Sequence, residues 1–484
     1  MPSGVLRGVP YQPRHKAPEG LSRLLLPPFD EILLLKISRR KVPEQFPAGG
    51  RSFGTSNLLK TLGRTVETLQ NTMTETGENQ QSFMRPFRKR HRVAEAWEWI
   101  ARTARPLETE VVALLEAFGR VLATDIVSPV SVPGFVRAMM DGYAVRAEDT
   151  LGASPQNPIL LELVGESRPG ITPEVVLQSG EAVRIATGAP VPAGADAVLP
   201  AEWAEERGNT VIVLGSVSPQ KHLAQVGEDI REGEVILRAG RQLRPQDLGL
   251  LSSVGIQQVP VIRSPKVRIL ICGDEILPPG TASRGFRIPD SNGPMLTALV
   301  LRDGGKVLDY QILPDDRRTI REALLQPADV ILVSGGSSVG HRDLVPEILA
   351  EVGEVSIHGL AMRPSSPAGM GRIGSKLVFL LPGNPVSCLC AYDFFAARAI
   401  RLMGGRSSDW PYRRIRATVR RKITSALGRL DYVRVKLAED QVEPIAVSGA
   451  AILSSTTKAD GFLLCPEEVE GFAPGTEVEV FLYD

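Results

Sequence analysis

The chain has 484 residues, of which 43% are hydrophobic and 23% charged, and its formal net charge at pH 7 is +1. This length exceeds one ordinary hydrophobic core and predicts roughly three or four domains. The near-zero charge excludes a bulk attraction to nucleic acid or to a membrane surface, and no stretch reaches the roughly 18 consecutive apolar residues of a membrane helix. We therefore expect a cytoplasmic protein that binds neither nucleic acid nor membranes.

Residues 1–83 mix isolated apolar runs with polar stretches and hold no helical or strand period, which predicts poor order. One hypothesis is that Met84 is the true initiator and that residues 1–83 come from a misassigned start. A genuine regulatory tail is the alternative.

The next segment, residues 84–130, changes to helical spacing, with Val93, Trp97, Ile100 and Ala101 on one face. Residues 131–229 then alternate short apolar runs with Gly, Pro and Asn clusters, which predicts a small β-rich domain. Residues 230–264 continue the sheet-like pattern into "RPQDLGLLSSVG", which predicts a short helix with Gly at its end. A second helical face is expected from Val112, Leu115, Phe118 and Leu122.

Apolar strand runs and helical stretches alternate through residues 265–404, as in "KVRILIC", "ADVILVSGG" and "KLVFLLPG". Such alternation predicts a parallel, doubly wound α/β sheet with helices on both faces. The remaining residues, 405–484, have the turn and strand rhythm of a small C-terminal β domain. The fold class is therefore multidomain, with one α/β domain and β-rich domains around it.

The stretch "VSGGSSVGHRD" directly follows a buried strand run and admits two interpretations. Gly335 and Gly336 would let the backbone approach an anion, and Ser337 and Ser338 would add hydroxyl donors to form a phosphate cradle. Neither the GxxxxGK[ST] nor the GxGxxG pattern is present, so a flexible turn is an equally good local interpretation.

Several acidic residues lie in loops of the predicted domains. A turn or a helix cap explains each one taken alone, whereas convergence of their carboxylates would create a site for Mg²⁺ or for handling an oxyanion. These acids are Asp141 in "MMDGYAV", Asp229 in "GEDI", Glu275 in "GDE", Asp316 in "PDD" and Asp343 in "GHRD".

Metal sites built on histidine or cysteine are not expected. Five scattered histidines and an isolated Cys-x-Cys pair lack the spacing of a zinc site, and too few cysteines are present for a disulfide framework. We expect reduced, buried thiols at Cys272, Cys388, Cys390 and Cys465.

Seven segments in one order, "MMDGYAV", "RIATGAPVPAGADAV", "GEDI", "GDE", "SNGPML", "SGGSSVGHRD" and "LPGNPVS", closely resemble the molybdopterin molybdenumtransferase family, which includes MoeA and the E domain of gephyrin. The resemblance covers residues 84–484. It implies an elongated N-terminal domain, formed by residues 84–130 and 230–264, on either side of an inserted β-rich domain at 131–229. The same resemblance implies a MogA-like α/β domain and a homodimer, with the cleft between the α/β domain of one subunit and the inserted domain of the other. It also implies insertion of molybdate into adenylyl-molybdopterin, with Mg²⁺-dependent release of AMP.

The resemblance further implies roles for individual residues, including a Mg²⁺ site at Asp141 and Glu275. The catalytic positions would be Asp141, Thr187, Asp229, Glu275, Asp316 and Asp343. The substrate-binding positions would be Gly335, Gly336, Ser337, Ser338, Arg363, Pro382, Pro385 and Arg434.

The chain departs from the family pattern where "RPSSP" replaces the usual "KPGKP". Arg363 keeps one positive charge, Ser366 replaces a lysine, and Arg434 would compensate. His341 stands where an acid is common, and Cys272 where Ser or Thr is usual.

These departures leave alternatives to the transferase open. They are a tungstate-preferring variant, a weakened enzyme, or a pterin-binding scaffold. The preceding enzyme, molybdopterin adenylyltransferase, is disfavoured as an identity because it needs no "MDGYA" segment, but it is an expected partner.

Overall fold

The protein is described by a computed structural model over residues 90–336, 344–446 and 449–483. The predicted disordered extension, 1–83, lies outside these residues. Four of the residues discussed above also lie outside them, namely Ser337, Ser338, His341 and Asp343. Across the described ranges, no helix has both the length and the apolar character that crossing a membrane requires.

The first described elements confirm one helix and contradict another. Helix α1 forms where the spacing predicts it and buries Val93 and Ile100 of the expected face. Trp97 is only half-buried and Ala101 is exposed, whereas Trp99 is buried in their place. The helical face expected over 112–122 is wrong, because this segment begins as a strand whose hydrogen-bonding partner lies about 150 residues later in the chain. Leu115, on the following 3₁₀ turn, is 87% exposed. The elements are α1 (Val93–Thr103), β1 (Thr109–Ala113), the 3₁₀ turn Leu114–Glu116 and β2 (Ile126–Val127).

The inserted region is β-rich, as the sequence predicts. Its main sheet has the order β7-β4-β6-β5-β9-β8, and all neighbours are antiparallel except β5 and β6. Strands β3 and β10 pair separately. The strands are β3 (Arg137–Ala138), β4 (Gly142–Val145), β5 (Ile159–Ser167), β6 (Glu181–Ile185), β7 (Ala197–Pro200), β8 (Ala204–Arg207), β9 (Thr210–Val213) and β10 (Leu223–Ala224), with 3₁₀ turns at Ala147–Thr150 and Ala201–Trp203.

The chain then returns to pair with its earlier segment. Strand β11 (Val235–Leu237) lies antiparallel to β2, and β12 (Gln258–Ile262) lies antiparallel to β1. Helix α2 (Pro245–Ser253) separates them. The β-rich insertion is therefore carried on a stem in which outgoing and returning strands are hydrogen-bonded to each other.

The α/β region forms a six-stranded sheet of order β16-β13-β17-β21-β20-β18. The first four strands are parallel, but β20 and β18 join antiparallel, so the expectation of a wholly parallel sheet is wrong at one edge. A tight turn joins β20 directly to β21, and such a turn can connect only antiparallel neighbours. The strands are β13 (Lys266–Cys272), β14 (Ile276–Leu277), β15 (Ile288–Pro289), β16 (Lys306–Leu313), β17 (Val330–Ser334), β18 (Glu354–His358), β19 (Met362–Arg363), β20 (Gly369–Ile373) and β21 (Lys376–Leu381).

Helices cover both faces of this sheet, as the alternating pattern predicts. On one face α3, α6 and α7 pack with α1 against Ile269, Leu332 and Phe379. On the other face α4 and α5 pack against Leu270 and Val333. The helices are α3 (Asn292–Arg302), α4 (Arg317–Leu325), α5 (Leu344–Val352), α6 (Pro385–Ala391) and α7 (Ala397–Met403), with a π-helical turn at Tyr392–Ala396.

The C-terminal region forms a second six-stranded sheet, of order β19-β24-β25-β22-β28-β26, which closes through an added β24–β26 pairing. Its edge strand β19 comes from the α/β region and runs parallel to β24. Its own elements are β22 (Arg413–Val419), β23 (Ile423–Thr424), β24 (Leu430–Ala438), β25 (Gln441–Ala446), α8 (Ser454–Lys458), β26 (Gly461–Cys465), β27 (Gly471–Phe472) and β28 (Glu477–Leu482).

A buried charge network joins α3, the π-helical turn and the segment that leads into β22. Arg302 Nη2 donates to Asp303 and to Asp393 at 2.8 Å each, and both carboxylates are fully buried. Tyr412 donates to Asp393 at 2.8 Å, and Arg401 donates to Asp303 at 3.2 Å. Buried carboxylates persist only when charges and donors surround them, so these contacts fix the relative positions of their elements.

We expect Asp303→Ala to lower the free energy of unfolding by about 3 kcal/mol, because it leaves guanidinium charge uncompensated in a buried site. Urea denaturation should detect the loss as a lower midpoint. Glu322→Ala is the matched control, since it breaks the exposed Glu322–Arg318 pair and should leave the midpoint unchanged. Equal midpoints for all three proteins would contradict the structural role of Asp303.

Candidate functional site

A cavity of about 650 Å³, which we call cavity A, opens where the parallel strands β13, β17 and β21 end. Carboxyl ends of parallel strands are the usual ligand-binding edge of doubly wound sheets. Five of the residues that the sequence singles out line this cavity, namely Glu275, Gly335, Gly336, Pro382 and Pro385. The loop edge predicted from strand order is therefore where these motifs meet.

Gly335 allows the ends of β13 and β17 to approach closely. It has a φ of +94°, and a Cβ placed on it would lie 2.3 Å from the Cys272 carbonyl oxygen, so no other residue fits. Its N–H, however, donates to the Leu381 carbonyl at 3.1 Å. Gly335 therefore shapes a cradle sterically, and its own amide is not free to bind an anion.

The walls of cavity A are joined by a buried amide that sequence reasoning did not single out. Asn292, the first residue of α3, donates from Nδ2 to Ser334 Oγ at 2.9 Å and to the Gly383 carbonyl at 2.7 Å. Asp290 accepts from the backbone N–H of Asn292 at 2.8 Å and from the Tyr310 hydroxyl. Asn292 lies in "SNGPML", one of the segments that resemble the family, but the sequence does not indicate which residue of that segment belongs to the site.

Two side chains at the end of β13 reach cavity A from different degrees of burial. Glu275 is exposed and contributes a carboxylate to cavity A. Cys272 also lines the cavity but is 4% exposed, and burial raises the pKa of its thiol to about 12. Cys272 therefore contributes a neutral thiol at physiological pH, not a nucleophilic thiolate.

The "LPGNP" segment forms the opposite wall. Pro385 begins α6, where its missing N–H costs no hydrogen bond, and Asn384 precedes it in an extended conformation. The Gly383 carbonyl accepts from Asn292, which ties this wall to α3. Pro382 and Pro385 thus line the cavity as rigid, apolar surfaces.

A second cavity of about 670 Å³, cavity B, lies in the inserted region and is lined by Thr187 and Asp229. Asp141 Oδ1 accepts from the Thr187 backbone N–H at 2.7 Å and from its hydroxyl at 2.9 Å. The register explains this contact, because Gly142 pairs with Ile185 and places the residues that flank β4 and β6 side by side. The two motifs "MDGYA" and "ATGAP" therefore form one cluster.

Gly142 is required within that cluster. A Cβ on it would lie 1.9 Å from the Leu199 carbonyl oxygen of the neighbouring strand. The two hydrogen bonds from Thr187 lower the pKa of Asp141, so this exposed carboxylate stays ionised at neutral pH. The inserted region thus presents a fixed negative charge beside cavity B.

Three predicted site residues lie away from both cavities and serve the fold. Asp316 caps α4 by accepting from the Thr319 N–H at 2.8 Å. Arg363 donates to the fully buried Asp431, so its charge is not free for substrate. Arg434 is 1% exposed within β24 and lines neither cavity. These three positions do not join the clusters around cavities A and B.

A metal site is not preassembled in the described ranges, which contain no group of three or more His, Cys, Asp or Glu side chains placed to hold an ion. Asp141 and Glu275 belong to different clusters. Mg²⁺ usually takes one or two protein carboxylates together with substrate phosphates and water. The separate carboxylates fit that mode of binding and do not fit an all-protein cage.

We expect Thr187→Val to raise the pKa of Asp141, because it removes the hydroxyl donor and keeps the backbone donor. A carbon-detected NMR titration of the Asp141 carboxyl group should show the midpoint moving upward toward the ordinary value. Thr319→Val is the matched control, since it should raise the pKa of Asp316 and leave that of Asp141 unchanged. An unmoved Asp141 midpoint would show that the hydroxyl bond is absent in solution.

Three family models match the described region. They are the MoeA N-terminal region (domains I and II) at 91–255, a probable molybdopterin binding domain at 268–401, and the MoeA C-terminal region (domain IV) at 416–483. Their order along the chain agrees with the order of the regions described above.

Relatives and solved structures agree with these models. The chain is 36% identical to a putative molybdopterin biosynthesis protein of Methanocaldococcus jannaschii, over 77% of this chain and 91% of the relative. It is 35% identical to molybdopterin molybdenumtransferase 2 of Mycobacterium tuberculosis, over 78% and 96%. Two crystal structures of the molybdopterin biosynthesis MoeA protein from Pyrococcus horikoshii match with TM-scores of 0.70 and 0.67, at 35% and 34% identity, over 82% of this chain and all of theirs. The chain belongs to the MoeA family.

Proposed function

We propose that this chain is a molybdopterin molybdenumtransferase, which inserts molybdate into adenylyl-molybdopterin and releases AMP in molybdenum cofactor biosynthesis. The observation that carries the proposal is the meeting of the "GDE", "SNGPML", "SGG" and "LPGNP" segments around cavity A. Homologues named molybdopterin molybdenumtransferase, of which the chain covers 94–96%, support the same activity. We further propose a cytoplasmic location, with the preceding adenylyltransferase as the supplier of substrate.

Cavity A is proposed to hold the pterin and its phosphate. Gly336 would lie against the phosphate, and Pro382 and Pro385 would form an apolar wall. Ser337 and Ser338 would add hydroxyl donors to the phosphate. Glu275 would face the reacting adenylyl phosphate, and Asp343 would supply a further carboxylate. Backbone donors and fixed carboxylates together suit a ligand that combines phosphate, oxyanion and cation.

Mg²⁺ is proposed to bind between Glu275, Asp141 and substrate phosphate oxygens. When bound, the ion would neutralise phosphate charge and thereby favour cleavage of the adenylyl bond. Thr187 would hold Asp141 ionised for that contact. Asp229 would orient water or substrate from the same cluster.

Since Asp141 and Glu275 belong to different cavities of one chain, we propose a homodimer in which cavity B of one copy faces cavity A of the other. Exposed apolar side chains on the elongated segment support association, because such surface usually marks an interface. Examples are Val111, Leu115, Phe118 and Val127, which are 50–87% exposed.

A pterin-binding scaffold without catalysis is the second candidate. The observation that favours it is the neutralisation of Arg363 by buried Asp431 where the family usually carries two lysines. In addition, Ser366 carries no charge and its hydroxyl has no partner among the described residues. A tungstate-preferring enzyme is a variant of the first proposal.

Measurement of AMP release distinguishes the transferase from the pterin-binding scaffold. Purified protein incubated with adenylyl-molybdopterin, Mg²⁺ and either molybdate or tungstate should release AMP with molybdate. We expect Asp141→Asn or Glu275→Gln to lower the rate at least about 100-fold, because each removes a charge from the site. Pterin binding without AMP release from either oxyanion would instead support the scaffold.

The composite site predicts complementation between inactive variants. Subunit exchange between Asp141→Asn and Glu275→Gln proteins should restore about a quarter of wild-type AMP release, because half of the dimers would then carry one intact site. Exchange between two differently tagged Glu275→Gln proteins is the control and should restore nothing. No recovery despite confirmed heterodimers would contradict a site shared between subunits.

A further inference from the structure

We infer that Asn292 is the positioning residue of cavity A, whose side-chain amide sets the spacing of the three segments that would enclose the pterin. This inference rests on the proposed function. It concerns how the cavity is held open in the correct shape, which none of the motif residues discussed above explains.

The amide nitrogen of Asn292 is fully used. Its two hydrogens go to Ser334 Oγ, at the end of β17, and to the Gly383 carbonyl in the "LPGNP" segment. Asn292 itself begins α3, so one planar group spans the end of a strand, a turn and the start of a helix. All three residues line cavity A.

The orientation of this amide is determined by its partners. If the nitrogen and oxygen were exchanged, the oxygen would face the Gly383 carbonyl, and two acceptors would meet without a hydrogen. Asn292 is only 5% exposed, and the backbone N–H groups of Asn292 and Gly293 are fixed by Asp290. Rotation of the side chain away from Ser334 and Gly383 would break both bonds in a buried environment.

The oxygen Oδ1, by contrast, is buried and accepts from no donor among the described residues. A buried acceptor without a partner destabilises the folded state. Replacing Asn292 by a residue that lacks this acceptor therefore removes a destabilising group together with the two donated hydrogen bonds. Among the described residues, the amide acts on cavity A through its nitrogen, which ties the end of β17 to the "LPGNP" segment.

The two donated bonds and the buried acceptor together predict that loss of Asn292 affects ligand binding more than stability. A purely structural role would predict a loss of stability at least as large as the loss of binding. Asn292→Ala removes two donated hydrogen bonds and also the orphan acceptor, so the two effects on stability partly cancel. The melting temperature should fall by only a few degrees. Binding of the pterin should weaken much more, because the three walls lose their common tie.

The test measures binding of purified molybdopterin by its pterin fluorescence, together with thermal denaturation of each protein. We expect Asn292→Ala and the size-matched Asn292→Leu to weaken binding at least about tenfold. Ser334→Ala, which keeps the Gly383 bond, should weaken binding less. Asn157→Ala is the control, because Asn157 also donates to a glycine carbonyl, that of Gly152 at 3.1 Å, but lies exposed in the inserted region.

The possible results test the role of Asn292 separately from the proposed binding of molybdopterin. Wild-type affinity in folded Asn292→Ala and Asn292→Leu proteins would overturn the inference alone. A second result would also overturn it. In that result the affinity of each variant falls in proportion to its melting temperature, and Ser334→Ala weakens binding as much as Asn292→Ala does. Failure of the wild-type protein to bind molybdopterin would overturn the proposed function, and with it this role for Asn292.

Discussion

The buried network around Asp303 and Asp393 is the interaction on which the arrangement of the α/β region depends. It fixes the C-terminal end of α3, while Asp290 fixes the N-terminal end through backbone N–H groups and Tyr310. A helix held at both ends cannot slide along the sheet. Because Asn292 begins that helix, the charges at its far end also determine where cavity A receives its buried amide.

The site shows how parallel-sheet geometry gathers residues that are distant in sequence. β13, β17 and β21 lie side by side and end at the same edge of the sheet, and Gly335 permits a close approach of β13 and β17 that any side chain would prevent. The inserted region uses antiparallel register for the same purpose, placing Asp141 beside Thr187. Two different strand geometries therefore produce two separate clusters, one rich in backbone and amide groups and one dominated by carboxylates.

Much of the fold could be predicted from local pattern, because α1 and the alternating elements of the α/β region carry their own periodicity. The failure over 112–122 has a physical cause: Leu115 and Phe118 are exposed and do not form a buried helical face, and the strand that begins the segment is stabilised by β12 far along the chain. The family resemblance predicts Glu275 and Pro382 in one site, and both line cavity A. It could not show that Asp316 caps its own helix or that Arg363 is neutralised by Asp431, since each depends on a partner and not on the motif.

The edge strand β19 has a consequence for the movement of the molecule. Arg363 hydrogen-bonds within the C-terminal sheet, and two residues later the Ser365 hydroxyl donates at 2.7 Å to the Ser387 carbonyl of α6. This short connection couples the C-terminal sheet directly to α6, the helix that borders cavity A. A rotation of the C-terminal sheet would therefore also displace α6 and the wall of cavity A that Pro385 forms.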